Sequence, residues 1–371
     1  MRILYVTTIS LTMNTFFKPH IEMLVQNDNQ VDIACNYKDL PLDPLYSTLK
    51  CKCYQIDFSR NPLSPENIKA YRQLRAVIDN GKYDIVHCHT PNAAVITRLV
   101  CRKFRRHGLR VFYTAHGFHF YKGAPKMNWL VYYPIEKFCS RFTDKLITIN
   151  QEDYALAKRK FKAKEVHYIP GVGIDLSRFS NVQVDRKAKR QEIGVPEDAV
   201  LLLSVGELNE NKNHQIIIRA LSKLENPMIH YVIAGVGEKR EALIGLAKKL
   251  GVEKQVHLLG YRTDVGELNA SADIFCFPSI REGLGLAAIE AMACGVPVVA
   301  ADNRGTRNFI SSSVNGFLCS NDDDGEFAYT LMQLLGDENM RKQFSEKSRN
   351  VIKDYSEKNV LKKLRTIYEI L

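Results

Sequence analysis

Short runs rich in Val, Ile and Tyr alternate along this chain with longer stretches whose apolar residues recur every three or four positions. A two-residue period, or a short unbroken apolar run, predicts a strand; a period near 3.6 predicts a helix with one apolar stripe. In the first half, strands are expected at Ile3–Thr7, Val31–Cys35, Tyr54–Asp57, Asp84–His89, Val111–Thr114, Lys145–Ile149 and Val166–Ile169. Helices are expected between most of them, as at Phe16–Gln26, Glu66–Asp79, Ala93–Arg106 and Glu152–Phe161. The second half repeats the scheme. Its strands are expected at Val200–Val205, His230–Ala234, Val256–Leu259, Ile274–Phe277 and Pro297–Ala300, with helices near Asn213–Leu224, Glu238–Leu250, Asp264–Ala270 and Ala287–Cys294.

Alternation of this kind predicts parallel sheets with helices on both faces, an α/β chain of two doubly wound, Rossmann-like domains. The 371 residues suffice for two such cores. A charged, apolar-poor stretch at Asn181–Glu192 separates them, giving expected domains at 1–180 and 181–355. The last helix, Lys358–Leu371, carries Val360, Leu364, Ile367 and Leu371 on one stripe. That stripe must pack on something, and the segment from about 356 to 371 is expected to return to the first domain. Doubly wound sheets bind ligands at the carboxyl ends of their strands, so a cleft between the two domains is the expected active site.

The longest apolar runs, Ala199–Val205 and Val296–Ala301, are strand-length and far short of the ~20 residues that span a bilayer. Met1-Arg-Ile-Leu-Tyr-Val-Thr-Thr lacks the apolar core of a secretory leader and reads as a first strand, so a cytosolic location is expected. The nine cysteines are scattered, with no Cys-x-x-Cys, which argues against a disulfide framework or a zinc ribbon. His87-Cys88-His89 would put two imidazoles on one face of a strand, but no third ligand stands at a suitable spacing, and no metal is expected.

The net charge of +11 is unevenly shared. Residues 1–180 hold 27 Lys and Arg against 15 Asp and Glu, whereas residues 181–371 hold 25 against 26. The basic half fits an acidic partner, either an anionic membrane, a phosphate-bearing substrate or nucleic acid; a solvated basic surface is the plain alternative. Basic and aromatic residues interleave at Arg98–Arg110 and Lys122–Phe142. A solvated helix face and a surface resting on anionic lipid both fit that pattern. No recognition motif accompanies the charge, so nucleic acid is not expected.

The chemistry concentrates in Pro278-Ser-Ile-Arg-Glu-Gly-Leu-Gly-Leu-Ala-Ala-Ile-Glu290. A strand ends here, Gly283 and Gly285 let backbone approach a ligand, and a helix starts near Leu286. Free N–H groups at a helix start form a site for a diphosphate. The carboxylates of Glu282 and Glu290 would repel phosphate but suit sugar hydroxyls. Acids stabilising a helix dipole would account for Glu282, but not for the paired glycines or for Glu290 beyond the first turn. Ser204-Val-Gly-Glu-Leu-Asn-Glu-Asn-Lys-Asn213 is a second strand-end turn, at Gly206, from which Lys212 can reach a phosphate; capping or solvation would serve equally. Ala234-Gly-Val-Gly-Glu-Lys-Arg240 lacks the third glycine of a dinucleotide fingerprint and reads as a plain strand-to-helix turn. Tyr113-Thr-Ala-His-Gly-Phe-His-Phe120 sets His116 and His119 at a strand end, where a ligand contact competes with a structural role. His20 and His89 occupy comparable positions.

Together these segments resemble family 4 glycosyltransferases of the GT-B fold. Glu282-Gly-Leu-Gly-Leu-Ala-Ala-Ile-Glu290 is similar to their E-x7-E signature. Tyr83–Pro91, Ala115-His-Gly117, Ile169–Asp175 and Val205-Gly206 with Lys212-Asn213 resemble further landmarks in the same order, so the likeness covers essentially the whole chain. His116–Pro125 and Val205–Asn209 look most like the subgroup that builds bacterial capsular and exopolysaccharide repeat units.

The resemblance implies a retaining, metal-independent transfer of a hexosyl or N-acetylhexosaminyl group from a nucleotide sugar, usually UDP-linked. The nucleotide sugar is a co-substrate, and no cofactor is expected. The acceptor would be an undecaprenyl-pyrophosphate-linked sugar at the inner face of an anionic membrane, with the enzyme peripheral to it. By the same resemblance Glu282, His116 and Lys212 are the catalytic candidates. Glu282 with Gly283, Leu284 and Gly285 would hold the donor sugar, Glu290 the ribose, and Lys212 with the amides near Leu286 the diphosphate. Gly206 would flank the diphosphate, the turn with Tyr261 and Arg262 would hold the base, and His116 would touch the sugar from the opposite domain. Asn14, His20, His89 and His119 are the acceptor-side candidates. The chain departs from the family at Glu207, where many members carry a phosphate-binding Arg, leaving Arg281, Arg304 and Arg307 as substitutes. It departs again at Thr7–Asn14, where the family has a Gly-rich loop. A nucleotide-sugar epimerase of the same fold and a non-catalytic sugar-nucleotide binding module are the alternatives.

Overall fold

A computed structural model describes residues 1–370. The chain divides into two compact units: Met1–Gly173 joined by the C-terminal segment from Glu357, and Ile174–Ser356. The division falls ahead of the 180/181 boundary expected from composition, because the single helical turn Ser177–Ser180 belongs to the second unit.

The first unit has a seven-stranded parallel sheet. Its strands are β1 (Arg2–Ile9), β2 (Gln30–Asn36), β3 (Cys53–Gln55), β4 (Ile85–Cys88), β5 (Arg110–Ala115), β6 (Lys145–Thr148) and β7 (Glu165–Tyr168). They lie in the order β3-β2-β1-β4-β5-β6-β7. Chain direction across the sheet reverses between β1 and β4, where Val6 pairs with Cys88. Ile3 to Val6 are all inaccessible, as expected of a central strand with helices on both faces, which needs an unbroken apolar run and not an alternating one. Leu4, Val6, Val86 and Val111 meet Leu74, Ala94 and Cys101 from the helices Glu66–Gly81 and Pro91–Phe104 in one core. The helix Glu357–Tyr368 buries Val360, Leu364 and Ile367, and the Tyr368 hydroxyl lies 2.5 Å from Nδ1 of His87 on β4. Leu371, the last position of the expected stripe, lies outside the described residues.

The second unit repeats the plan with six parallel strands: β8 (Val200–Val205), β9 (Ile229–Ala234), β10 (Val256–Gly260), β11 (Ile274–Phe277), β12 (Val298–Ala301) and β13 (Phe317–Cys319). Their order is β10-β9-β8-β11-β12-β13, reversing between β8 and β11 where Leu202 pairs with Ile274. Ile217, Ile218 and Leu221 of helix His214–Leu224 pack with Phe327 and Leu331 of helix Asp324–Gly336 over this sheet.

The expected strands are all present. Periodicity did not point to β13, a three-residue edge strand too short to show a pattern. It also passed over the helices Asp324–Gly336 and Glu338–Val351, and the helix Lys126–Cys139, which packs Tyr132 and Tyr133 on the core but leaves Leu130 and Phe138 exposed.

Candidate active site

Two turns meet at the reversal point of the second sheet, beyond the carboxyl ends of β8 and β11. In the turn after β8, Asn209 Oδ1 accepts the Lys212 backbone N–H at 3.0 Å. Asn211 then zips this turn to the other: its carbonyl accepts from Ile280 N at 2.8 Å, and its amide donates to Arg281 O at 3.0 Å. The result sets Lys212 Nζ 2.7 Å from Glu282 Oε1 and over the Phe277 ring, 5.3 Å from its centre. The Ala234–Arg240 turn has a packing reason for its first glycine, since a Cβ on Gly235 would stand 1.8 Å from Gly206 O.

Gly285 caps the helix Leu286–Ala293 with φ +110, a left-handed backbone that a side chain would strain, and a Cβ there would press on Phe277 at 2.9 Å. The helical ladder begins with Ala288 N donating to Gly285 O, so the Leu286 and Ala287 N–H groups lie ahead of it, as an anion site requires. Behind Glu282–Leu284 stands the loop of Arg304 and Arg307, which the sequence pointed to for phosphate and not as a support of this segment. Asn303 Nδ2 donates to Ser279 O at 2.8 Å, and a Cβ on Gly305 would stand 2.6 Å from Leu284 O. Arg304, 6% exposed, reaches Glu282 O with its Nε at 3.4 Å. The available signal was the turn-forming Asn-Arg-Gly-Thr directly after β12.

Glu290 is half-buried, and burial pushes its carboxyl up to about 7 against a weaker downward pull from Arg178. The two line a cavity of about 410 Å³ with Thr263, Val265 and Gly266. Tyr261 is exposed. Arg262 is bound by Asp264 at 2.5 and 2.7 Å and by Glu192 at 2.6 Å, so its charge is already matched by carboxylates. Of the three arginines that could replace the one expected at Glu207, Arg307 is paired with Asp302 at 2.6 Å, Arg304 is buried behind Glu282, and Arg281 is exposed. Glu207 is exposed and accepts from Asn209 Nδ2 at 2.9 Å.

The first unit gathers histidines beyond β4 and β5. His89 Nδ1 and His116 Nε2 are 3.3 Å apart, the His87 and His89 rings are 4.2 Å apart, and His20 Nε2 meets Val172 O at 2.7 Å. Burial holds His20 and His116 down at about 4, and His87 and His89 well below the usual imidazole range. His20 and His89 are 2% and 1% exposed and offer no surface to an acceptor. Asn14 is occupied in holding a loop, donating to Pro41 O and accepting from Asp43 N. His116 and His119 are half-buried, the latter stacked on Tyr132 with ring centres 4.7 Å apart. Among the described residues no group of three or more His, Cys, Asp and Glu could hold a metal ion, and no helix is long and apolar enough to cross a membrane.

Comparison with known proteins places these features. Residues 185–351 match the family described as glycosyl transferases group 1, and residues 2–150 match glycosyl transferase 4-like. The chain is 39% identical over 373 residues to a Bacillus subtilis protein, EpsD, described as a glycosyltransferase; the match covers 99% of this chain and 96% of that one. It is 26% identical to an Escherichia coli UDP-Gal:alpha-D-GlcNAc-diphosphoundecaprenol alpha-1,3-galactosyltransferase, over 85% and 82% of the two chains. The Anabaena HepE structure with UDP and glucose superposes with a TM-score of 0.79 at 19% identity over 100% of both chains. WaaG, a glycosyltransferase of lipopolysaccharide biosynthesis, does so with 0.74 at 19%, over 98% of this chain and 99% of its own. The structural likeness carries the GT-B fold, and the near full-length sequence match carries the family: this chain belongs to the glycosyltransferases built from group 1 and 4-like domains.

Proposed function

We propose that the chain is a retaining glycosyltransferase that moves a hexosyl or N-acetylhexosaminyl group from a UDP-sugar to an undecaprenyl-pyrophosphate-linked glycan during capsular or exopolysaccharide synthesis, peripheral on the cytosolic membrane face. The observation that carries it is the Lys212–Glu282 contact of 2.7 Å beside an open helix N-terminus. A cation, a carboxylate and free N–H groups around one point suit a sugar attached to a diphosphate. The E. coli relative named for a diphosphoundecaprenol acceptor and the HepE structure with bound UDP support the acceptor and donor classes.

In this reading Glu282 and the amides of Gly283, Leu284 and Gly285 hold the donor sugar, Glu290 the ribose, and Lys212 with the Leu286 and Ala287 N–H groups the diphosphate. Gly206 flanks the diphosphate, Tyr261 stands at the base, and His116 is assigned to the transferred sugar. Retention is what the resemblance to family 4 glycosyltransferases implies. An acceptor hydroxyl attacks the anomeric carbon on the face from which the diphosphate departs; the carbon–oxygen bond to phosphate breaks, and the departing phosphate oxygen takes the hydroxyl proton. Lys212 and the helix start stabilise the charge growing on that oxygen, a role commonly worth about 3–4 kcal/mol. No metal ion enters this scheme.

Incubating a panel of nucleotide sugars with and without a lipid-pyrophosphate-linked sugar, followed by mass spectrometry, tests the reading. A product one sugar heavier, formed only with acceptor and lost in a folded Glu282→Ala variant, is expected. Conversion of the nucleotide sugar without acceptor would identify an epimerase. Donor binding with no product would identify a binding module.

A further inference from the structure

The helix Lys126–Cys139 is turned inside out. Its buried residues include Glu136, while Met127, Leu130, Val131, Ile135 and Phe138 are 62%, 69%, 43%, 41% and 47% exposed. At 100° per residue these five fall within an arc of roughly 140° on one side of the helix. A helix of a soluble protein normally faces such a stripe inward. Glu136 can lie inside because Arg98 Nη1 donates to it at 2.8 Å and the Tyr113 hydroxyl at 3.4 Å. The outward apolar residues have no comparable cover. Val131 and Ile135 also line an apolar cavity of about 410 Å³ with Leu63, Val95 and Ile96, which extends the patch. Apolar surface of this continuity marks an interaction site.

The rim says what covers it. Lys126 and Lys137 border the Leu130 edge, Lys122 precedes the helix and Arg141 follows it. All four are exposed and none has a salt bridge among the described residues. From Arg98 to Arg141 the chain has ten Lys and Arg and one carboxylate, the matched Glu136. Pairing this face with a second copy would set these cations against themselves. An anionic leaflet supplies both complements, hydrocarbon for the five apolar side chains and negative headgroups for the rim. Arg105, in the neighbouring basic run, is instead held by Asp144 at 2.7 and 2.9 Å.

We propose that this outward face is the membrane seat of the protein, lying in the interface of an anionic bilayer with Lys122, Lys126, Lys137 and Arg141 on the headgroups. The proposal rests on the membrane-face part of the reading above and not on the chemistry of transfer.

The test uses the full chain with vesicles of phosphatidylethanolamine and phosphatidylglycerol, and with phosphatidylcholine vesicles as control. The chain is expected to co-sediment with the anionic vesicles, and M127S/L130S/F138S should weaken binding about tenfold or more. K126Q/K137Q should lower binding to anionic vesicles and flatten its salt dependence. These residues are exposed, and thermal melts check that the variants fold. Equal vesicle binding by the triple variant, or no binding by the native chain, overturns the proposal. So does a native dimer that the triple variant converts to monomer, which would assign the face to a second copy. Transfer to a water-soluble, short-chain acceptor should survive the triple variant. If the native chain binds vesicles yet transfers to no acceptor, the transfer reading fails and the docking proposal stands.

Discussion

Glu282 and Glu290 share one segment but meet different surroundings. Glu282 faces the Lys212 ammonium at 2.7 Å, whereas around Glu290 burial outweighs the pull of Arg178 and lifts the carboxyl from 4.5 to about 7. The fold therefore favours the neutral acid, a contribution fully present below 4.5 and lost as pH rises through about 7. A ligand whose two hydroxyls donate to Glu290 selects the ionised form, which works in the opposite direction. Donor KM is expected to fall as pH rises from about 6 to about 8, with an apparent ionisation near the value of the free enzyme. Glu290→Gln should flatten that profile, and an unaltered slope would remove Glu290 from donor binding. The two acids look alike in sequence. Burial, which periodicity does not report for a residue beyond the first turn, separates them.

An apolar stripe facing the sheet made many elements legible, though not Asp324–Gly336, which buries Phe327, Leu331 and Leu334 without having been expected. Glu66–Gly81 buries Ala70, Leu74 and Ile78 on one stripe and was read directly; Lys126–Cys139 was not, because it buries Glu136 and exposes Leu130. Its inward side depends on the Arg98–Glu136 pair, whose side chains are 1% and 9% accessible. Removing one member of such a pair strands the other in a low-polarity site. Arg98→Met is expected to destabilise the first unit by about 3–5 kcal/mol, whereas Arg98→Met with Glu136→Leu should recover most of that loss. Denaturant melts of the single and double variants measure the difference; equal stabilities would show that the pair contributes nothing.

The whole molecule carries its histidines unevenly. His20, His87, His89 and His116 cluster in the first unit, where burial keeps them neutral, helped at His87, His89 and His116 by repulsion from neighbouring histidines. His20 Nδ1 and His89 Nε2 have no hydrogen-bond partner among the described residues, so no acceptor is in place there to stabilise an added proton. The unfolded chain takes up protons near 6.5, the fold only near 4 at His20 and His116. Stability is therefore full above about 6.5 and falls as pH drops toward 4, by about 1.4 kcal/mol for each pH unit and each histidine. The first thermal transition is expected to shift down by several degrees between about pH 7 and pH 5. A transition insensitive to pH over that range would refute the account.

Alternating patterns of two and 3.6 determined the α/β class, the doubling of the plan and nearly all the strands, because periodicity is local and needs no knowledge of what each element packs on. The Glu282–Glu290 segment was legible for the same reason, since its carboxylates, glycines and helix start lie within a few residues of each other. Tertiary structure alone decided what surrounds them. It brought Lys212 to Glu282 across 70 positions of sequence, set Asn303–Thr306 behind the loop, committed Arg262 to Asp264, and buried His20 and His89. It also turned one helix face outward. Contact, burial and the charge that burial permits depend on residues distant in the chain, and only the packed fold brings those together.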